Sequence, residues 1–142
     1  MANIMLNKFY KDKISKYIIP LEDIPLVYEK DFFKDALDSM IKNNLGVICI
    51  IDKNLVLKGI FTDGDIRRNL INVQKPLSAF FSDYVKEHMN KKPFTINKNN
   101  TVLHAIKLMN KKKIWDIPVV SNSNKLIGIL HLNSLLKYLY KK

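Results

Sequence analysis

The sequence predicts an α/β fold of the α+β kind: two tandem β-α-β-β-α units related by a pseudo-twofold axis, preceded by an N-terminal helical extension. Three observations predict it. First, Gly59 and Gly128 stand in similar apolar strand patterns, 69 residues apart. The same offset aligns Ala36 with Ala105, Met40 with Met109, Lys42 with Lys111, Ile48 with Ile117, Leu57 with Leu126 and Ile60 with Ile129. No gap is needed from about Ile24/Pro93 to Leu70/Leu139, the mark of a duplicated unit. Second, helical periodicity and short apolar runs follow one another in the same order in both copies. Third, a unit of fewer than about 50 residues buries too little surface to stand alone, so the two share an interface. The boundaries expected are an extension over 1–23, a first unit over 24–72, a linker able to form a helix over 73–92, and a second unit over 93–142.

The elements follow in order. In the extension, Tyr10, Ile14, Tyr17 and Ile18 fit one helical face, stopped before Pro20. Such a piece covers part of the core or a dimer seam rather than a lipid surface. The first unit opens with an extended piece at 26–28. Phe32, Phe33, Ala36, Leu37, Met40 and Ile41 then mark a helix with Asp31 as N-cap, ending near Asn43-Asn44 before Gly46. Strands follow at 47–51 and 56–61 around the turn Asp52-Lys53-Asn54, and a second helix starts near Asp63. In the linker, residues 77–89 suit a helix with Phe80, Tyr84 and Val85 as its apolar members. The second unit repeats the order: extended at 94–96, a helix on Val102, Ala105, Ile106 and Met109 capped by Asn100 or Thr101, strands at 117–120 and 126–130, and a last helix on Leu132, Leu135, Leu136 and Leu139.

Composition bounds the function. The chain has 142 residues, of which 47% are hydrophobic, with 4 Gly and 5 Pro, which excludes a disordered or low-complexity chain. The single cysteine, Cys49, lies in the apolar run Gly46-Val47-Ile48-Cys49-Ile50-Ile51 and reads as a core residue. One thiol makes no internal disulfide, and no metal cluster is visible, so a reducing cytoplasm is expected. No apolar run has the length of a membrane span, and the first residues lack a signal-peptide pattern. The formal charge is +11, but the lysines are spread along the chain. Nucleic-acid binding needs a concentrated basic face, so a solvated basic surface is the favoured reading and nucleic acid is not an expected partner.

The stretch "GIFTDGDIRRNL", Gly59 to Leu70, concentrates the chemistry. A strand hands over to a helix at Thr62-Asp63-Gly64-Asp65. Thr62 offers a hydroxyl and Asp65 a carboxylate at one end of the helix. Gly64 allows close approach to the backbone. The helix N-terminus favours anions, and Arg67 and Arg68 add planar forks suited to phosphate. Thr-x-x-Asp also resembles a capping box, although the usual far member is Glu or Gln. By spacing alone the cap is favoured, and both roles are compatible. No nucleophile–base pair, metal set or Walker loop is present, and His88, His104 and His131 are scattered. An enzyme is therefore not expected of this chain, and no cofactor is called for.

Gly59-Ile60-Phe61-Thr62-Asp63-Gly64-Asp65, Val85-Lys86-Glu87-His88-Met89 before Lys92-Pro93, and Ile117-Pro118-Val119-Val120 together resemble a tandem pair of cystathionine-β-synthase (CBS) domains, over roughly residues 24–140. The longer strings from Thr62 to Arg68 and from Lys125 to Leu132 are similar to the regulatory half of arabinose-5-phosphate isomerases of surface-polysaccharide synthesis. Similar strings occur in CBS pairs fused to some sugar nucleotidyltransferases. The resemblance implies a non-catalytic sensor and, because CBS pairs commonly dimerise, a homodimer. It would bind an adenosine nucleotide (AMP, ADP or ATP) or a nucleotide sugar between the units and regulate a carbohydrate-pathway enzyme.

It further implies that Asp65 holds the ribose diol, Thr62 the ribose or first phosphate, and Arg67 and Arg68 the phosphates, with Asp63 and Gly64 in the same corner. The segment Trp115-Asp116-Ile117-Pro118, matched in the first unit by Gly46, Val47, Ile48 and Cys49, lines the base pocket through backbone groups and aliphatic side chains. At the equivalents of Thr62 and Asp65 stand His131 and Ser134, and Ser134 grips a diol less well than a carboxylate does. His131 is a phosphate donor, a pH-sensitive group or, as favoured, a hydrogen-bonded structural residue. Trp115 either stacks on a base or, as favoured, joins the core; Met40 and Met109 are packing residues. The 23 residues before the pair are too few for the isomerases' sugar-binding domain. The chain is thus expected to be a free-standing regulatory module or a fragment of such an isomerase; a protein- or nucleic-acid-binding adaptor is the remaining alternative.

Overall fold

Strand β3 (Val47–Ile51) is buried along its whole length. A strand with two buried faces needs cover on both. Ile48 and Ile50 pack with Phe33, Ala36 and Met40 of the unit's own helix. Val47, Cys49 and Ile51 pack with Val120, Leu126 and Ile129 of the other unit. The alternation along one strand therefore divides the core into an intra-unit layer and an inter-unit layer. In the second unit, Ile117 and Val119 likewise face Val102, Ala105 and Met109.

The computed structural model describes residues 1–141; Lys142, the end of the expected second unit, lies outside the described residues. The chain runs α1 (Ala2–Lys11), β1 (Ile19–Pro20), β2 (Leu26–Tyr28), α2 (Phe33–Asn43), β3, β4 (Leu57–Thr62), α3 (Asp63–Asn72), α4 (Leu77–Phe81), β5 (Ile96–Asn97), α5 (Val102–Lys112), β6 (Asp116–Val120), β7 (Leu126–His131) and α6 (Leu132–Tyr140). Short 3-10 turns lie at Ile14–Lys16, Leu21–Asp23 and Val85–Glu87. One sheet has the order β2-β3-β4, the other β1-β7-β6-β5. In each unit a parallel pair precedes an antiparallel one: Leu26 opposite Cys49 and Val47 opposite Thr62, then Ile96 opposite Val119 and Asp116 opposite His131. The α+β architecture expected from the sequence is the one observed.

The duplication extends to backbone details that no side-chain pattern encodes. Among the described residues, four non-glycine residues have positive φ: Asn44, Leu55, Lys113 and Asn124. They form two pairs 69 residues apart. Asn44 and Lys113 end α2 and α5 in the left-handed conformation. Leu55 and Asn124 sit in the hairpin turns, where the units meet. Leu57 N–H donates to Asn124 O (3.1 Å) and Leu126 N–H to Leu55 O (2.8 Å), a reciprocal pair across the pseudo-twofold axis. Asn124 adds a side-chain bond to Leu57 O at 3.2 Å, which Leu55 has no means to return.

The segments before each unit are also related, at an offset of 71 residues. Phe9 corresponds to Phe80 and Ile14 to Val85, all four buried. Tyr17 donates its hydroxyl to Asp12 (2.9 Å), as His88 pairs with Asp83 (2.6 Å). Lys16, then Tyr17, holds the Asp12 carboxyl below the usual aspartate range; Lys75, then His88, does the same for Asp83. These straps are exchanged. Phe9, Ile14 and Tyr17 complete the core of the second unit, and Phe80 and Val85 that of the first. Strand β1 pairs antiparallel with β7, Ile19 opposite Ile129; the matching bridge joins Asn90 to Ile60.

Strap exchange explains where the sequence expectations fail. The expected helix through Tyr10, Ile14, Tyr17 and Ile18 stops at Lys11, because Ile14 N–H donates to Asn100 O and Asp12 O accepts from Val102 N–H. The helix expected over 77–89 breaks after Phe81 for the same reason: Asp83 O accepts from Phe33 N–H, and Val85 N–H donates to Asp31 O. Asp31 is not the N-cap of α2. Its carboxylate takes the Tyr28 N–H (2.7 Å), and the N-cap is Phe32, without a side-chain bond. Of the two candidates for α5, Thr101 is the cap, accepting from His104 N–H at 3.2 Å.

Gly128 lets the first strap cross flush: a Cβ there lies 2.2 Å from the carbonyl oxygen of Ile19, a backbone atom that cannot swing away. Gly128→Ala should destabilise the fold by about 3 kcal/mol or more, as overpacking against backbone does. Gly46→Ala, whose Cβ meets only the rotatable end of Asp63, should cost far less; urea unfolding of the two variants compares them. Leu55→Asn should raise stability by about 1 kcal/mol. Asparagine tolerates the left-handed conformation better than leucine and can return the bond that Asn124 makes; the same unfolding curves check it.

Candidate functional site

Strand β4 ends at Thr62, and α3 begins at Asp63. The corner is pinned by Asp63 N–H donating to Gly46 O at 3.0 Å; its counterpart is Leu132 N–H to Trp115 O at 2.9 Å. Thr62 and Asp65 form a complete capping box. Thr62 Oγ1 accepts from Asp65 N–H (3.2 Å), and Asp65 Oδ2 accepts from Thr62 N–H (3.0 Å) and from the Thr62 hydroxyl (2.9 Å). Asp65 Oδ1 takes the Arg68 guanidinium at 2.5 Å. Gly64 makes room for that fold-back: a Cβ there meets Arg68 Nη1 at 3.3 Å. A carboxylate offers about four acceptor positions. Three are used, so one position on Oδ1 remains, and a second opens if Arg68 leaves.

This corner forms one side of a cleft of about 610 Å³ shared by both units. That size lies within the range of small-molecule sites. The structure brings Thr62, Asp63, Gly64, Asp65, Arg68 and His131 together there. Arg67 is exposed on α3 and is not among the lining residues. Ile48 is fully buried in the first unit's core, its face being the one turned to α2.

The second unit adds Lys112, Lys113, Trp115 and Asp116, and the linker adds Asn90 and Phe94. Sequence reasoning placed Trp115 and Asp116 in a base-pocket segment only through the family resemblance, favouring the core for Trp115, and did not assign Lys112, Lys113, Asn90 or Phe94 to the site. A signal existed: the offset pairs Trp115 with Gly46 and His131 with Thr62, so a cleft on the pseudo-twofold axis gathers both members of each pair. Trp115 was expected in the core and is instead 67% exposed. It precedes β6 at the cleft, where no layer of either unit covers it.

The electrostatics are mixed. His131 Nδ1 pairs with Asp116 Oδ1 at 2.5 Å, across the first register pair of β6 and β7. Burial pushes the Asp116 carboxyl up from its ordinary value, against the opposing pull of His131. Lys112 Nζ lies 4.3 Å from the Phe94 ring centroid, a cation–π contact. Cys49, at the inter-unit layer, has its thiol pushed well up by burial and is a packing residue. Met40 and Met109 are buried packing residues as well.

The second unit's own corner differs. His131 makes no side-chain cap on α6. Ser134 and Lys137, the counterparts of Asp65 and Arg68, line a separate depression of about 490 Å³ beside Tyr17 and Asp23. Among the described residues, no helix is long and apolar enough to cross a membrane, and no group of three or more His, Cys, Asp or Glu is placed to hold a metal ion.

Two units of this topology, with exchanged straps and a shared cleft, define a tandem domain pair, and the chain belongs to the CBS domain family. The family's sequence profile matches residues 14–72 and 85–141, starting points 71 residues apart like the straps. Among relatives, the chain is 39% identical over 124 residues to the uncharacterized protein RP505 of Rickettsia prowazekii, covering 87% of this chain and 37% of that protein. It is 32% identical over 109 residues to the arabinose 5-phosphate isomerase GutQ of Salmonella typhi, covering 77% of this chain and 32% of the isomerase. The chain thus spans about a third of the length of the curated relatives it matches. Among solved structures, CBSX2 in complex with AMP shares the fold, with a TM-score of 0.78 at 24% identity, covering 89% of this chain and 95% of that one.

The cap geometry yields a prediction for the protein without ligand. Asp65→Ala removes the reciprocal cap bonds and the Arg68 partner, and should cost about 1 kcal/mol, a fall in Tm of roughly 3 °C. Ser134→Ala should leave Tm within about 1 °C, since Ser134 takes no part in a cap. Calorimetric melting of both variants checks the difference.

Proposed function

We propose that this chain is a non-catalytic sensor module that binds an adenosine nucleotide or a nucleotide sugar in the cleft between its units. The observation that carries this reading is Asp65: a carboxylate fixed by Thr62 at a helix N-terminus, with one acceptor position open and Arg68 as an exchangeable partner, facing basic residues of the other unit. A ribose diol takes the open position and displaces Arg68 from the other. The freed guanidinium turns to the phosphate, joined by Lys113. Asp63, Gly64 and the Thr62 hydroxyl border the same space. Ligand held by both units favours one arrangement of them over another by differential affinity, which is all that regulation requires.

The AMP complex of CBSX2 supports an adenosine ligand, and the likeness to GutQ supports an arabinose 5-phosphate isomerase as the enzyme regulated, either within the same polypeptide or as a partner; surface-polysaccharide synthesis is the pathway this reading assigns to it. The working form in this reading is a cytoplasmic homodimer; Ile41 and Ile71, left in water on α2 and α3, support a further apolar contact.

A thermal-shift panel of AMP, ADP, ATP, CMP, a CMP-sugar and S-adenosylmethionine finds the ligand class, and isothermal titration tests the site. Asp65→Ala should weaken the best ligand about tenfold to a hundredfold, the worth of a hydrogen bond to a charged group, roughly 1.5–3 kcal/mol. Ser134→Ala should change it less than about twofold. Arg68→Ala should weaken ADP more than adenosine, and that loss should shrink at high salt. Unchanged affinity in folded Asp65→Ala would remove the nucleotide site and leave the corner as a helix cap alone.

A further inference from the structure

Helix α1 buries Phe9 alone. The role expected of the extension, to cover core or a dimer seam, thus falls to Phe9 and to Ile14 and Tyr17 beyond the helix. The earlier turns of α1 stand on the surface, with Met1 and Leu6 exposed and Ile4 at 73% exposure. The end of α6 behaves alike: Leu139 is exposed and Tyr140 is 81% exposed. A ten-residue helix is marginal in water on its own, and a contiguous apolar surface marks a contact with something else.

The two helix ends form one face. The Phe9 and Tyr138 rings stack at 5.5 Å, and Tyr17 meets both edge-on, at 5.6 and 5.3 Å. The stacked rings border an apolar groove of about 600 Å³, lined by Ala2, Leu6 and Lys8 of α1 and by Leu139 of α6. The charge of this face is one-sided. Neither α1 nor α6 contains an aspartate or a glutamate. Ile4, Lys8 and Lys11 recur at the spacing that puts them on one side of α1. Lys137 and Lys141, four residues apart, flank the end of α6. All four lysines are exposed. Asp12 and Asp23 line the neighbouring depression, which Tyr138 also borders; Asp12 is already held by Lys16 at 2.8 Å and by the Tyr17 hydroxyl at 2.9 Å.

That charge decides between occupants. A second copy set on this face by a twofold axis brings two lysine rims together, and like charges disfavour it. Protein interfaces enrich arginine and deplete lysine, whereas this face has no arginine; Arg67 and Arg68, the chain's two, are on α3. Lysine suits a surface of diffuse negative charge, where each ammonium adds attraction without a fixed geometry. Lysine and tyrosine both set an apolar body below a lipid–water boundary and a polar tip above it. Neither helix is long and apolar enough to cross a membrane, so the contact runs along the surface.

We propose that the α1–α6 face docks the protein on an anionic lipid surface. Ile4, Leu139 and Tyr140 enter the headgroup boundary, and Lys8, Lys11, Lys137 and Lys141 meet the lipid phosphates. This goes beyond the nucleotide reading and does not depend on it. The groove and the inter-unit cleft share no lining residue, so docking and ligand binding use separate parts of the molecule.

The test is co-sedimentation with sucrose-loaded vesicles of phosphatidylcholine, alone or mixed in equal parts with phosphatidylglycerol. Wild type should bind the mixed vesicles at least about tenfold more tightly than the neutral ones, and less tightly as salt rises. Lys8→Gln with Lys11→Gln should weaken that binding about tenfold. Lys42→Gln with Lys53→Gln removes the same charge from exposed positions of the first unit and should weaken it less than about threefold. Ile4→Ser with Tyr140→Ser should weaken it about fivefold or more. All these side chains are exposed, so Tm of each variant should match wild type. If wild type does not bind the mixed vesicles, the proposal is overturned and an acidic protein is left as the occupant. Equal losses from the two lysine pairs also overturn it, since the charge of the whole chain would then account for binding. Full binding by folded Ile4→Ser with Tyr140→Ser does the same, because no apolar residue would then enter the lipid. If sedimentation velocity shows that this pair turns a wild-type dimer into a monomer, the face belongs to a second copy and the lipid assignment falls.

Discussion

The first backbone donor of α2, at Phe33, is answered by the carbonyl of Asp83, and that of α5, at Val102, by the carbonyl of Asp12. Free amides at a buried helix start are costly, and neither helix finds these partners within its own β-α-β-β-α unit. The straps supply them, and each brings a buried phenylalanine as well, Phe9 to one unit and Phe80 to the other. Everything else follows from this exchange. Gly59 and Gly128 must be small because the straps cross there, the sheet of the second unit gains β1, and the two strand layers meet face to face.

The exchange also makes the cleft. Asn90 lies at the end of the second strap and holds Ile60 by two backbone bonds, at 3.0 and 2.9 Å, on the cleft's border. The corner at Thr62 and the start of β6 are brought together from the two units. Because the relating axis passes between them, each structural role occurs twice, and the chain has used the two copies differently. One corner has a capped helix and a carboxylate; the other has an uncapped helix, a serine and a histidine bonded to Asp116. Charges of both signs in one recess, some already paired, let an arriving ligand exchange partners rather than meet bare charge.

Much of this was legible in the residues. The 69-residue offset located both sheets and all four unit helices, because apolar periodicity survives divergence. The capping-box reading of Thr62 and Asp65 follows from spacing, since a cap is local in sequence. The straps were not legible as such. Ile14, Tyr17 and Ile18 do fit a helical face, and nothing nearby announces that the Ile14 N–H goes to Asn100 O and that Asp12 O accepts from Val102 N–H, in a segment far along the chain. Asp31 looked like a cap because aspartate before a helix usually is one; a competing turn at Tyr28 took its carboxylate. Trp115 misled for a similar reason. A large aromatic before a buried strand belongs in a core unless the fold leaves that place uncovered, and whether it does depends on the opposing unit.

Strap exchange also bears on how such a chain arises. A polypeptide of half this length, carrying one strap and one unit, has no partner for its strap except another copy of itself. Two identical copies, each lending its strap to the other, would satisfy the same amide donors, the same glycine crossings and the same reciprocal bonds between hairpin turns. The present chain has the architecture of such a domain-swapped dimer written as a single polypeptide. Covalent joining releases the halves from identity. A mutation in a homodimer alters both corners at once, whereas here Asp65 and Ser134, or Gly46 and Trp115, are separate genetic positions, free to specialise one at a time.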